Sequence, residues 1–227
     1  MFRSNPMMVR RSPFAFAAFI ALTAVATSNC DAWYYKTMKK FGVEKRDILV
    51  KRVKDARESQ QEAKDEFKTA LERFKSVIEV DGGPLEDKYE KLDKELNRSE
   101  DRARKVRDRI DSVRSVSDDL FKEWDQELRQ YTDRSLRAES ERQLKSTRQR
   151  CEALIRSMER ARKRLEPVLK PLRDRVLFLK HNLNAQAIGA LDAELLTVRT
   201  NVDALVTDLE AAIAEADQFV ASMGTTN

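Results

Sequence analysis

From Val53 onward, apolar and small residues recur at spacings that alternate three and four, interrupted by one polar residue, Gln60: Val53, Ala56, Gln60, Ala63, Phe67, Ala70, Phe74 and Val77. Most of the positions between them are charged. That alternation is a heptad seam, the signature of a helix that buries one narrow stripe. A second seam runs from Leu85 through Leu92, Leu96, Val106 and Ile110 to Trp124 and Leu128, with Ser99 and Ser117 as polar members. A third runs from Leu144 through Cys151, Met158 and Leu172 to Leu183, and a fourth from Ile188 through Val198, Leu205 and Ala212 to Phe219. Helices are therefore expected over about 47–80, 85–131, 135–183 and 187–222, with 223–227 a frayed tail.

The breaks between seams carry turn chemistry. Asp81-Gly82-Gly83-Pro84 combines a glycine cap with a proline that opens the next helix, followed by Glu86 and Asp87 in its first turn. A connection this short predicts an antiparallel hairpin. The second seam loses register near Tyr131-Thr132-Asp133-Arg134-Ser135, where hydroxyl and Asp caps predict another turn. Pro167 and Pro171 lie inside the third seam; each removes a backbone donor and crowds the preceding turn, which predicts a kink or short break near Lys163–Glu166. The fold expected is all-α: an elongated antiparallel helical bundle, or coiled coil, of three to four long helices behind an N-terminal signal peptide. Heptads serve closure within a chain and between chains alike, so a homo-oligomer through the seams also follows from the pattern.

Composition excludes the alternatives. Charged residues make up 37% of the 227 positions, with only 5 Gly and 5 Pro, too few turn formers for a sheet-containing fold. The formal net charge is +5, but residues 1–29 hold Arg3, Arg10 and Arg11 and no acid, and without them the balance is +2. Charge is sorted by helix. Residues 134–184 carry 15 bases and 6 acids, whereas 185–227 set Arg199 alone against seven acids. Residues 31–79 are net positive and 81–133 net negative, so neighbours alternate in sign and favour pairing in chain order. The Arg-rich third helix thus has acidic partners within its own chain, and no nucleic-acid partner is expected.

The extreme N-terminus reads as an export signal: three bases, then an uncharged run of 13 residues from Phe14 to Ala26. A spanning helix needs about 20 and a signal-peptide core roughly 7–15. Ala24-Val25-Ala26 suits an ordinary signal peptidase. Thr27-Ser28-Asn29-Cys30 resembles a lipobox in which Cys30 is acylated, although Thr27 and Asn29 depart from the usual residues. An uncleaved span from Ser12 to Asn29, holding a scaffold that faces the cytoplasm, is the remaining alternative. Residues 30–46 form an aromatic and basic segment in which Trp33, Tyr34, Tyr35, Lys36, Lys39 and Lys40 suit a membrane headgroup zone. The same aromatics suit the capping of a helical core equally well.

Candidate chemistry is sparse. His181 is the single histidine, and its position predicts a side chain bonding a terminal helix carbonyl. Cys151 falls on a seam, where a small buried hydrophobe is expected; a disulfide with Cys30 is the other option open to it. One His and two Cys supply neither a zinc cluster nor a nucleophile–base pair. No metal, no cofactor and no enzymatic activity are expected. An enzyme working with carboxylates alone has only the abundance of Asp and Glu in its favour.

At Trp33-Tyr34-Tyr35-Lys36-Thr37-Met38 and Phe41 to Val50, the sequence resembles an uncharacterised bacterial family of exported, coiled-coil-rich proteins of unknown function, including lipoproteins. Glu166-Pro167-Val168-Leu169 and Leu179 to Ala185 resemble the same family, and the likeness spans residues 30–222. It implies a bacterial source, an envelope location and a helical fold; taken with the export signal, a periplasmic position close to or anchored on a membrane and an envelope protein partner of unspecified kind are expected. It implies no functional residue.

Overall fold

The computed structural model describes residues 45–79, 84–182 and 185–224. They form four helices: α1 (Lys45–Glu79), α2 (Leu85–Glu127), α3 (Arg134–His181) and α4 (Ala185–Gly224). A single 3-10 turn, Leu128–Gln130, follows α2. No strand occurs among the described residues. At 48 residues α3 is the longest helix, about 70 Å at the helical rise.

The helices pack in a ring: α1 on α2, α2 on α3, α3 on α4, and α4 back on α1. The seams supply the core. Val53, Ala56, Ala63 and Phe67 of α1 are buried, as are Leu92, Val106, Ile110 and Val113 of α2. Cys151, Leu154, Met158 and Leu165 of α3 are buried, as are Val202, Leu205, Leu209 and Ala216 of α4. In an antiparallel ring of four, charges that alternate along the chain also oppose each other where the first helix meets the last. Arg57 accordingly pairs with Asp217 at 2.8 Å, and Lys64 with Glu210 at 3.5 Å.

Register is clearest between α2 and α3. Five ion pairs cross this interface: Glu100–Arg173 (2.8 Å), Arg107–Glu166 (3.3 Å), Asp111–Arg162 (2.5 Å), Arg114–Glu159 (2.7 Å) and Asp125–Arg148 (2.6 Å). Steps of seven, four, three and eleven residues along α2 are matched by the same steps backwards along α3. A slip of one heptad in either direction would set Arg107 against Arg173 or Glu100 against Glu166. Each exposed pair contributes about 0.2–1 kcal/mol, so the ladder acts more on alignment than on stability.

The structure corrects several expectations. α3 runs unbroken through Pro167 and Pro171, so there is no break at Lys163–Glu166. Proline's fixed φ is itself helical, and Leu165, Val168, Leu169 and Leu172 are buried around the two rings and hold the axis in place. α2 ends at Glu127 and tightens into the 3-10 turn instead of continuing to residue 131. Pro84 is the cap residue of α2, with extended backbone, and does not enter its first turn. α4 runs to Gly224, two residues past the expected end at about 222. At the end of α3 it is Asn182, not His181, that meets the terminal carbonyls: its backbone N–H donates to Leu179 O (3.2 Å) and its side chain to Phe178 O (2.9 Å).

Candidate functional site

Every site residue nominated from the sequence, Cys30 and Trp33, Tyr34, Tyr35, Lys36, Lys39 and Lys40, lies outside the described residues, as does the whole proposed signal segment. What the described bundle contributes is the end to which that segment is joined. The chain enters α1 at Lys45, whose Nζ lies 3.2 Å from Glu123 Oε2 of α2. Arg46 Nη2 donates to the carbonyl of Met223, near the end of α4. The start of α1, the α2–α3 connection and the end of α4 therefore share one end of the bundle. The end of α1, the start of α2, the end of α3 and the start of α4 share the other.

Two surface grooves accompany this frame. The larger, about 560 Å³, lies between α2 and α3, with Cys151, Ser117 and Phe121 inside it and Asp118, Asp125 and Arg148 along it. Arg148 is fixed twice: its Nη2 donates to Asp125 Oδ2 at 2.6 Å, and its guanidinium lies 5.2 Å from the Phe121 ring centroid. Cys151 is a free, buried thiol. Burial pushes it up to about 11, against a weaker opposite pull from the Ser117 hydrogen bond. At neutral pH it is therefore a thiol and not a thiolate, a poor nucleophile and a poor metal ligand.

The second groove, about 370 Å³, lies between α1 and α2 near the other end and is lined by Arg73, Lys91, Lys94, Glu95 and Arg98. Glu95 Oε1 accepts from Arg73 at 2.5 Å and from Arg98 at 3.3 Å. The carboxylate is held by two guanidiniums and serves as a tie between helices. Among the described residues no group of His, Cys, Asp or Glu is arranged to hold a metal ion, and no helix is long and apolar enough to cross a membrane.

The model of a family described as a protein of unknown function, DUF2959, matches residues 34–223. The chain belongs to the DUF2959 family. The match takes in the described bundle up to Met223 and begins at Tyr34, within the aromatic and basic segment; Cys30 and Trp33 precede it. No curated protein matches the chain. DUF2959 membership thus supports treating Tyr34, Tyr35, Lys36, Lys39 and Lys40 together with the bundle as one sequence unit.

Sequence reasoning passed over several exposed apolar residues. Tyr131 (42% exposed) and Leu136 (59%) flank the α2–α3 connection, and Leu177, Phe178 and Leu196 are exposed in the halves of α3 and α4 nearest the other end. The signal was present: Leu136, Leu177, Phe178 and Leu196 are large apolar residues that fit no seam position.

Proposed function

We propose that this DUF2959 protein is a non-enzymatic structural or protein-interaction module of the bacterial cell envelope, held at or near a membrane by its N-terminal segment. The observation that carries the reading is the order of residues before α1. Three bases, a 13-residue uncharged run, Cys30 and then a stretch rich in aromatics and bases lead directly into a helical rod. Acylation at Cys30 would add about 0.8 kcal/mol per buried CH₂, and two or more chains hold stably. Trp33, Tyr34 and Tyr35, with Lys36, Lys39 and Lys40, would then lie at headgroup level.

The bundle supports the non-enzymatic half of the reading. Its carboxylates and guanidiniums meet across helix boundaries, as in Arg162–Asp111 and Arg164–Asp208, and the resulting ties order the rod. The buried thiol is protonated, and its groove brings no histidine to it.

Cell fractionation with protease accessibility tests the proposal. The expected result is a membrane-associated chain that protease cleaves only after the outer layer is opened. A chain protected even in spheroplasts overturns the periplasmic reading in favour of the uncleaved, cytoplasm-facing scaffold. A chain recovered wholly in the soluble cytosolic fraction overturns membrane attachment altogether.

A further inference from the structure

Charge sorting along the chain sets the bases of α3 against the acids of α4, but the fold sends most of those acids elsewhere. Asp208 holds Arg164 at 3.0 Å. Glu210 and Asp217 turn to α1, onto Lys64 and Arg57, and Glu215 meets no base among the described residues.

The middle of α3 is left with a surplus of positive charge. Between Lys145 and Lys170 every acid of the helix already holds an arginine. Glu152 meets Arg156 (3.7 Å), Glu159 meets Arg114 (2.7 Å) and Arg162 (3.4 Å), and Glu166 meets Arg107 (3.3 Å) and Arg173 (3.2 Å). Over the same stretch Lys145, Arg150, Arg160, Lys163 and Lys170 are exposed and meet no acid among the described residues. The nearest unpaired acids of α3, Glu141 and Asp174, lie one turn outside the stretch at either end. Alongside, the unpaired charges of α2 are near balance, with Asp108, Asp118 and Asp119 against Lys105 and Lys122.

The bases form a row. Arg156, Lys163 and Lys170 follow at steps of seven, which keeps them on one side of the helix, and Leu177 is the next step. All four are exposed, Leu177 by 56%. From Arg156 to Leu177 the row runs about 32 Å. A line of bases ending in a bare leucine fits a flat anionic surface with an apolar layer beneath it. Ammonium and guanidinium groups meet headgroup phosphates, and the apolar end enters the boundary. A soluble polyanion would satisfy the bases and leave Leu177 in water.

We propose that the outer side of α3, through Arg160, Lys163, Lys170 and Leu177, lies on an anionic phospholipid surface. The inference rests on the membrane-proximal reading for the presence of that surface, and adds which side of the rod faces it. Contact along a row, unlike contact at a point, lays the rod down on the membrane.

The test uses the full-length chain as extracted from its cells, mixed with vesicles of phosphatidylethanolamine and phosphatidylglycerol, or of phosphatidylcholine alone. Flotation reports attachment, and brief amine acylation read by mass spectrometry reports which lysines are covered. With phosphatidylglycerol, labelling of Lys163 and Lys170 should fall roughly tenfold, while Lys105 and Lys122 of α2 keep their reactivity. Added salt should restore labelling. Arg160→Gln should lower the ratio of covered to reactive Lys163 about fivefold, the equivalent of one base at an anionic surface, with helicity unchanged. Leu177→Ser should lower it as well, which a purely ionic contact would not show. A chain that floats with Lys163 and Lys170 as reactive as Lys105 overturns the α3 contact and leaves the tether standing. Coverage with phosphatidylglycerol but no flotation with phosphatidylcholine supports the α3 contact and overturns the tether. Equal coverage in both lipids overturns the anionic assignment. Coverage by soluble polyphosphate but by neither vesicle overturns the lipid in favour of a polymer. Coverage that grows with protein concentration in the absence of vesicles overturns it in favour of a second copy.

Discussion

The carbonyl of Pro167 accepts a hydrogen bond from Asn201 Nδ2, 3.2 Å away on the neighbouring helix. That carbonyl is free to do so because its usual partner one turn later is Pro171, which has no N–H. A defect in α3 thereby becomes a tie to α4. Replacing Asn201 by Ala should cost about 0.5–1.5 kcal/mol. In a Pro171→Ala background the restored N–H takes the carbonyl back, and the same replacement should cost markedly less. Urea unfolding of the two single variants and the double variant measures this. Strict additivity would show that the proline does not create the acceptor.

Gln60 occupies a seam position of α1, is fully buried, and neither of its side-chain amide atoms has a hydrogen-bond partner among the described residues. A buried unsatisfied polar group costs about 1–3 kcal/mol. Gln60→Leu, of similar volume and apolar, should raise the unfolding free energy by about that much. Denaturant midpoints check it. A lower midpoint would mean that the amide is satisfied and contributes to stability.

The ladder between α2 and α3 predicts a recoverable defect. Asp111→Arg places two guanidiniums together in place of the 2.5 Å pair with Arg162. Because Asp111 is more than half exposed, the loss should be no more than about 1 kcal/mol and should shrink with added salt. Exchanging the charges, Asp111→Arg with Arg162→Asp, should restore most of it. A swap no better than the single change would show that the two positions are not coupled.

Cys151 makes stability sensitive to alkali. Its folded value, pushed up to about 11 by burial, stands above the ordinary 9.0 that it regains on unfolding. Below pH 9 the thiol is protonated in both states and the native environment carries no penalty. Between about pH 9 and 11 the unfolded chain sheds the proton and the folded one keeps it, so stability falls as pH rises, by up to about 2–3 kcal/mol. Comparing the pH slope of unfolding with that of Cys151→Ala isolates this contribution. Identical slopes would place Cys151 in contact with solvent.

The fold was legible because heptad spacing is a direct record of burial on a rod. Val53, Phe67, Ile110, Met158 and Leu205 were all read as seam residues, and all are buried. Charge sorting was legible for the same reason, since sign alternation along the chain maps onto neighbours in a ring. The uninterrupted path of α3 was not, because the rules for proline describe an isolated helix and Asn201 lies 34 residues away. Likewise, the choice between His181 and Asn182 as the terminal cap depends on backbone angles that composition does not encode. Leu136 was passed over because it fits no seam position. The nominated site residues from Cys30 to Lys40 lie outside the described residues.

The mass of the mature N-terminus, measured on protein taken from the membrane fraction, tests attachment most directly. The account predicts a chain that begins at Cys30 and carries a diacylglyceryl group. A chain beginning at Thr27 without acylation, or one retaining Met1 to Asn29, would contradict it.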